Sequence, residues 1–243
     1  MRSWGITDAG LVRQENQDSY GVRTVEGFTS AVVCDGMGGV AGGRLASSVA
    51  VDRFQYEIGR VLRDHMSLQQ VRQAADYAVS LANDAIRQRA AEEPAYQHMG
   101  TTLVCALARE TQVVIINVGD SRAYHISRDG IRQVSRDHSL VEVLVERGDL
   151  TPEEARRHPQ RNLITRALGP EPSVQTDSFY VEWKQGDFLL LCSDGLVNTV
   201  SDQEILFEVI HNGDPDTCLA RLVAMSRQRG APDNVTAVLL MNI

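Results

Sequence analysis

The sequence predicts an α+β layered domain, and three observations lead there. Strand-like runs rich in Val, Ile, Leu and Thr fall near 28–35, 102–108, 112–119, 121–127, 176–183, 187–193 and 235–242, punctuated by Gly, Asp and Asn. Two long helical segments stand between the first run and the rest. Strands in tight succession favour antiparallel sheets, and helices gathered in their own blocks form separate layers.

The stretch "GGRLASSVAVDRFQYEIGRVL" from Gly42 reads as the first helix. The second runs from Ser67 to about Glu92, with Val71, Ala75, Ala78, Ala82 and Ile86 on one face at helical spacing. "TPEE" at 151–154 opens a helix with Thr as cap, Pro at the first helical position and Glu three residues on. "SDQE" at 201–204 repeats the capping-box form before "ILFEVI". A chain of 243 residues without linker, repeat or low-complexity segment is read as one domain over 1–243.

Composition excludes several classes. No apolar run approaches the ~18 residues that span a bilayer, and "MRSWGITDAG" lacks the basic-then-apolar build of a signal peptide. Cys34, Cys105, Cys192 and Cys218 form no C-x-x-C pair and sit in or beside apolar segments, as reduced thiols of a cytoplasmic protein do. A net charge of −8 argues against nucleic acid as a partner. Lys184 is the single lysine and no Gly-Lys pair exists, which removes a Walker-type phosphate loop and leaves Schiff-base chemistry little footing. None of the four cysteines has an arginine six positions on, and the six histidines are scattered, so a Cys/Arg nucleophile loop and a His-rich metal site are both disfavoured.

The chemistry gathers on aspartates. Asp35 follows "SAVVC", Asp120 follows "VVIINVG", Asp194 follows "FLLLCS", and Asp233 precedes "NVTAVLL". In antiparallel sheets the finish of one strand lies beside the start of the next, so three acids at strand finishes and one at a strand start can converge on one rim. Converging carboxylates need protons or cations to neutralise them, and an all-oxygen cluster suits Mg²⁺ or Mn²⁺. Taken singly, each is a turn residue before it is a ligand. The repeated phrases "VVCDG" and "LLCSDG" make the joint pattern stronger. In "RQENQDSYG", Arg13 offers a planar fork for phosphate, although the stretch also reads as a solvated loop.

The chain resembles the PP2C (PPM) family of metal-dependent serine/threonine protein phosphatases in its compact bacterial form. The likeness runs end to end through "RQENQD" (13–18), "CDGMGG" (34–39), "GTT" (100–102), "NVGDSR" (117–122), "DHSLV" (137–141), "RNLITRALG" (161–169), "SDGL" (193–196) and "DNVTAV" (233–238). It implies a sandwich of two antiparallel β-sheets flanked by helix pairs, in α-β-β-α layers, with a flap at about 136–170 where substrates are discriminated.

It also implies site roles. Asp35, Asp194 and Asp233 would ligate one metal. Asp35 would bridge to a second, which takes the Gly36 carbonyl, and Asp18 would hold that metal's waters. Asp120 with Asp194 would hold a weaker third ion. Arg13 would bind the substrate phosphate, and Thr101 and Thr102 would support the site from below. Two Mn²⁺ or Mg²⁺ ions about 3.5–4 Å apart would supply a hydroxide that attacks phosphorus in line. Expected partners are phosphorylated proteins, through a Ser/Thr kinase and its substrates, with neither nucleic acid nor membrane involved and the protein a cytoplasmic monomer. The alternatives are action on an anti-sigma-factor antagonist and a pseudophosphatase that only binds. The second is disfavoured because all five metal aspartates are kept. One departure stands out: Val40 and Met37 occupy positions where relatives place a histidine, so a metal-bound water or a histidine distant in sequence would serve as general acid.

Overall fold

A computed structural model describes residues 1–211 and 214–243, apart from the side chains of residues 40 and 41. One sheet orders its strands β1 (Arg2–Asp8), β11 (Val235–Met241), β10 (Phe188–Cys192), β7 (Arg122–Ser127) and β8 (Gly130–Gln133). The other orders β2 (Asp18–Val25), β3 (Phe28–Met37), β5 (Leu103–Arg109), β6 (Gln112–Val118) and β9 (Asp177–Glu182), with the short β4 (Gly100–Thr101) beside the end of β3. Every pairing is antiparallel.

Strand period 2 builds the layers. Ala31 and Val33 of β3, Val104 and Ala106 of β5, Leu189 and Leu191 of β10, and Val238 and Leu240 of β11 meet between the sheets. Their alternates face outward onto helices. Val32, Cys34, Leu103, Cys105 and Leu107 pack under α1 (Gly39–Val61) and α2 (Leu68–Glu92). Leu190, Cys192, Ala237 and Leu239 pack under α5 (Asp194–Val197), α6 (Asp202–Leu206) and α7 (Pro215–Gln228). Strands apolar on both faces therefore read as continuous runs. The result is the expected α-β-β-α sandwich.

Val71, Ala75, Ala78, Ala82 and Ile86 of α2 are all buried, as their spacing predicts. Ser67 caps α2 in a capping box with Gln70, and Thr151 caps α4 (Pro152–Arg157) in the same way with Glu154. The 202–211 stretch is less regular than expected: α6 gives way to a π-turn at Phe207–His211. Between β8 and β9 lies a long connection holding α3 (Leu140–Glu146) and α4. Its base is tied by the isolated bridges Ser139–Ile164 and Thr101–Leu168.

The two glycines that follow strand-end acids are packing positions. A Cβ on Gly36 would collide with the carbonyls of Gly43 and Gln17, and one on Gly195 with the carbonyl of Asn234. These close approaches hold α1 and α5 against the strand ends. Gly195→Ala is expected to destabilise the fold by about 1–3 kcal/mol through overpacking, read as a lower urea midpoint at constant m-value. An unchanged midpoint would show that α5 can shift away from β11 without loss.

Candidate active site

The pairing registers deliver the acids to one rim. Asp18 opens β2 and Asp35 lies near the end of β3, and the two are direct cross-strand partners. Asp120 sits in the turn that leaves β6 in one sheet and enters β7 in the other. Cys192 at the end of β10 pairs with Arg122 on one side and Ala237 on the other. Asp194, which begins α5, and Asp233, just before β11, therefore reach the same end of the sandwich as Asp120.

Burial and mutual repulsion shape the electrostatics. The carboxyl of Asp35 is pushed well above its ordinary range by burial, then by repulsion from Asp18, Asp194, Asp120 and Asp233. Burial, then Asp194 and Asp137, push Asp120 up to about 8. Burial raises Asp18 to about 6 against the hydroxyl that stabilises it. Asp194 is raised by burial and by Asp233.

Hydrogen bonds fix these acids in place. Ser193 Oγ donates to Asp18 Oδ2 at 2.7 Å and accepts the Thr236 N–H at 3.0 Å. The Asp35 N–H donates to Thr102 Oγ1 at 2.9 Å, while its carbonyl accepts from Thr101 Oγ1 and the Thr102 N–H, both at 2.9 Å. Thr102 Oγ1 also meets Ser121 Oγ at 2.7 Å, which links the Asp35 and Asp120 segments from beneath. Asn198 Nδ2 donates to Asp194 Oδ2 at 3.0 Å.

Arg13 joins the group as a two-pronged ion pair. Its Nε and Nη2 donate to the two Asp233 oxygens at 2.9 and 2.7 Å. The guanidinium is 57% exposed, so this is a surface fork rather than a buried bridge. Its loop is stapled to the strand behind it: Asn234 Oδ1 accepts the Gln17 N–H at 2.8 Å, and Asn234 Nδ2 donates to the carbonyls of Ala9 and Glu15 at 2.9 and 3.0 Å.

Buried oxygens without a partner remain on Asp18 (Oδ1) and Asp194 (Oδ1). An orphaned carboxylate oxygen inside a like-charged cluster calls for a cation or a proton. The donor set, all carboxylate and carbonyl oxygen, fits a hard divalent ion. Among the described residues no three acids, thiols or imidazoles already stand as closely as a ligand shell requires.

The structure thus brings together Arg13 and all five predicted aspartates. Gly36 lies beside them, its N–H on the Gln17 carbonyl at 3.2 Å. Met37 is half-buried at the end of β3, and the side chain of Val40 is outside the described residues. Sequence reasoning assigned no part to Ser193, Thr236, Ser121 or Asn234. A small polar residue interrupting an apolar strand end was the available signal.

The family model for protein phosphatase 2C matches residues 12–239. The chain is 36% identical over 236 residues to the serine/threonine phosphatase stp of Listeria innocua, covering 96% of this chain and 93% of that protein. It is 36% identical over 239 residues to the protein phosphatase PhpP of Streptococcus pneumoniae, covering 97% and 95%. The crystal structure of serine/threonine phosphatase Stp1 from Staphylococcus aureus matches with a TM-score of 0.93 at 36% identity, over 99% of this chain and 94% of that one.

The raised carboxyls set the sign of a pH effect once divalent ions are chelated. Between an unfolded value of 3.8 and a folded value of about 8, native Asp120 binds more protons than the unfolded chain does. Its contribution to unfolding free energy therefore falls as pH rises through that window. Asp120→Asn is expected to be more stable than the parent at about pH 9 and to lose that advantage toward about pH 5, as thermal melts in chelator will show. An advantage that grows toward acid pH would mean that Asp120 is stabilised, not strained, as an anion.

Proposed function

The chain belongs to the protein phosphatase 2C family, and from that premise we propose how this protein serine/threonine phosphatase holds and hydrolyses its substrate. Phosphorylated proteins are its substrates, and metal dependence is general to its family. The single observation that carries the reading of the site is the convergence of five aspartates from both sheets on one rim, with buried oxygens left unpaired on two of them.

In this reading Asp35, Asp194 and Asp233, with the Gly36 carbonyl, would hold two core ions, Mn²⁺ or Mg²⁺. Asp18 would support the second ion from behind, and Asp120 with Asp194 would hold a weaker third. When bound, such ions neutralise the acids and supply a water of lowered pKa near neutral pH. The chain's own residues do the rest. Thr101 and Thr102 lock the backbone of Asp35, and Ser193 aims Asp18. Arg13 turns its fork from Asp233 to two phosphate oxygens, since carboxylate and phosphate offer it the same bidentate geometry. That exchange frees Asp233 and offsets charge on the equatorial oxygens in the transition state. Neither Met37 nor Val40 has a proton to give, so the departing serine or threonine oxygen takes one from water at the open rim.

We further infer that the enzyme reverses a Ser/Thr kinase and acts as a monomer, because one chain supplies every acid and Arg13. The connection at 136–170 serves as a flap over the substrate. The four thiols, all free and buried, suit a reducing cytoplasm. No helix among the described residues is long and apolar enough to cross a membrane.

Phosphate release from a phosphothreonine peptide, with and without Mn²⁺, tests the reading. Losses behind a metal ligand typically cost about 10–100-fold, so Asp35→Asn and Asp233→Asn, which remove ligands themselves, are expected to lose more than that while remaining folded. Near-normal turnover in Asp35→Asn would sink the core assignment. Asp120→Ala is expected to keep tight Mn²⁺ binding by calorimetry and to lower kcat. Disappearance of the tight sites would place Asp120 in the core pair.

A further inference from the structure

His138 is nearly fully buried and has no part in the mechanism above. Its ring faces the turn that carries Asp120. The Gly119 N–H donates to His138 Nδ1 at 3.0 Å, and the His138 N–H donates back to the Gly119 carbonyl at 2.9 Å. Both backbone polar groups of Gly119 thus meet His138, and the carbonyl also accepts from Asn117 Nδ2 at 3.1 Å. Gly119 admits no side chain: its φ is +102°, and the Thr102 side chain fills the space where a Cβ would go. The residue next along the turn is Asp120.

The geometry fixes the tautomer. Nδ1 accepts the Gly119 N–H, so the proton of the neutral ring is on Nε2. Nε2 lies 3.2 Å from Asp177 Oδ2 and 3.1 Å from Arg166 Nη1. Arg166 Nη1 in turn donates to Asp177 Oδ1 at 2.8 Å. Asp177 is anchored at the start of β9, opposite Asn117 of β6. Arg166 comes from elsewhere, on the returning limb of the 136–170 connection. That limb also lands on His138, through the Thr165 N–H on the His138 carbonyl at 2.8 Å. The residue before the histidine is held too, by Arg122 Nη2 on Asp137 Oδ2 at 2.7 Å.

We propose that His138 is a positioning residue of the phosphatase reaction, tying the Gly119–Asp120 turn to the Arg166–Asp177 pair so that the 136–170 connection and the Asp120 carboxylate keep one relative placement. The proposal rests on the reading of Asp120 as a site acid. The connection then does two things at once, since the limb that would lie over substrate also sets an acid beneath it. A histidine suits this position because its two nitrogens point in opposed directions with opposed hydrogen-bond roles. No other side chain accepts at one end and donates at the other across a rigid ring.

Two amides divide the ring's roles. In His138→Asn the side-chain oxygen falls near the Nδ1 position and can accept the Gly119 N–H. In His138→Gln the terminal NH₂ falls near Nε2 and can donate to Asp177, but the Gly119 N–H loses its acceptor. Phosphate release from a phosphothreonine peptide over a Mn²⁺ series, tight-site calorimetry and urea unfolding are measured for both variants, for Asp120→Ala and for the double variant His138→Gln/Asp120→Ala. His138→Gln is expected to lose about 10–100-fold in kcat, as losses behind a metal ligand do, with peptide KM and tight Mn²⁺ binding little changed. His138→Asn is expected to lose clearly less, whichever of the two is more stable to urea. The double variant is expected to be no slower than Asp120→Ala alone, because residues that act through one another are not additive.

Equal kcat losses in Asn and Gln, or losses that simply follow the urea midpoints, would reduce His138 to a structural residue and overturn the proposal. So would additive losses in the double variant when Asp120→Ala is itself slow; the reading of Asp120 would then stand. Wild-type turnover in Asp120→Ala would overturn the reading of Asp120, and this proposal with it.

Discussion

Mutual repulsion among closely set carboxylates, most of them half-buried, is the constraint on which the rest of this molecule depends. Asp35 feels four other aspartates, and burial withholds the water that would screen them. Left to local preference, such side chains would turn outward to solvent. The structure prevents that by supporting each acid from behind with rigid backbone. The acids stand on strand ends or the turns next to them, and those strands are fixed by ladders on both sides or by helices packed above.

The supports are small, neutral and buried, which is physically apt. Ser193, Thr236, Thr101, Thr102 and Ser121 offer hydrogen bonds without adding charge. An arginine or lysine in their place would neutralise the acids permanently and compete with any cation. Among the described residues the guanidinium that pairs with a site acid, Arg13, sits at the exposed lip, where exchange of partners costs little. Arg122, closer in, is already engaged by Asp137. Positive charge is thus kept either at the edge of the site or committed elsewhere.

Much of this was legible in the sequence. The strands of the inter-sheet core are apolar on both faces, so they read as unbroken runs, and the aspartates that end them stand out by contrast. The long helices declared themselves through the buried face of α2. The edge strands β1 and β8 did not, because they are half-exposed and mix polar residues freely. Helix α7 was missed although Asp214 and Pro215 give it a cap and a first helical position. The crossing of the chain from one sheet to the other between β6 and β7 was also invisible: "NVGDSR" reads as a hairpin turn, and only tertiary pairing shows that its two strands have different neighbours. The partnership of His138 with Gly119 was beyond reach for a similar reason, since nothing local to "DHSLV" says where the ring will point.

The place of β11 has a consequence for how the molecule comes into being. It lies between β1 and β10, pairing with β1 from Arg2–Met241 to Asp8–Val235. Asp233 and Asn234 precede it, and Asn234 is what fastens the Arg13 loop. During synthesis, Asp18 and Asp35 are therefore together long before the strand that completes their surroundings has left the ribosome. Contacts of such sequence separation form slowly, and the growing chain carries a half-built sheet with an open slot until β11 arrives. On the proposed role of Asp233, an unfinished copy lacks one of its site acids until that strand has been made and seated.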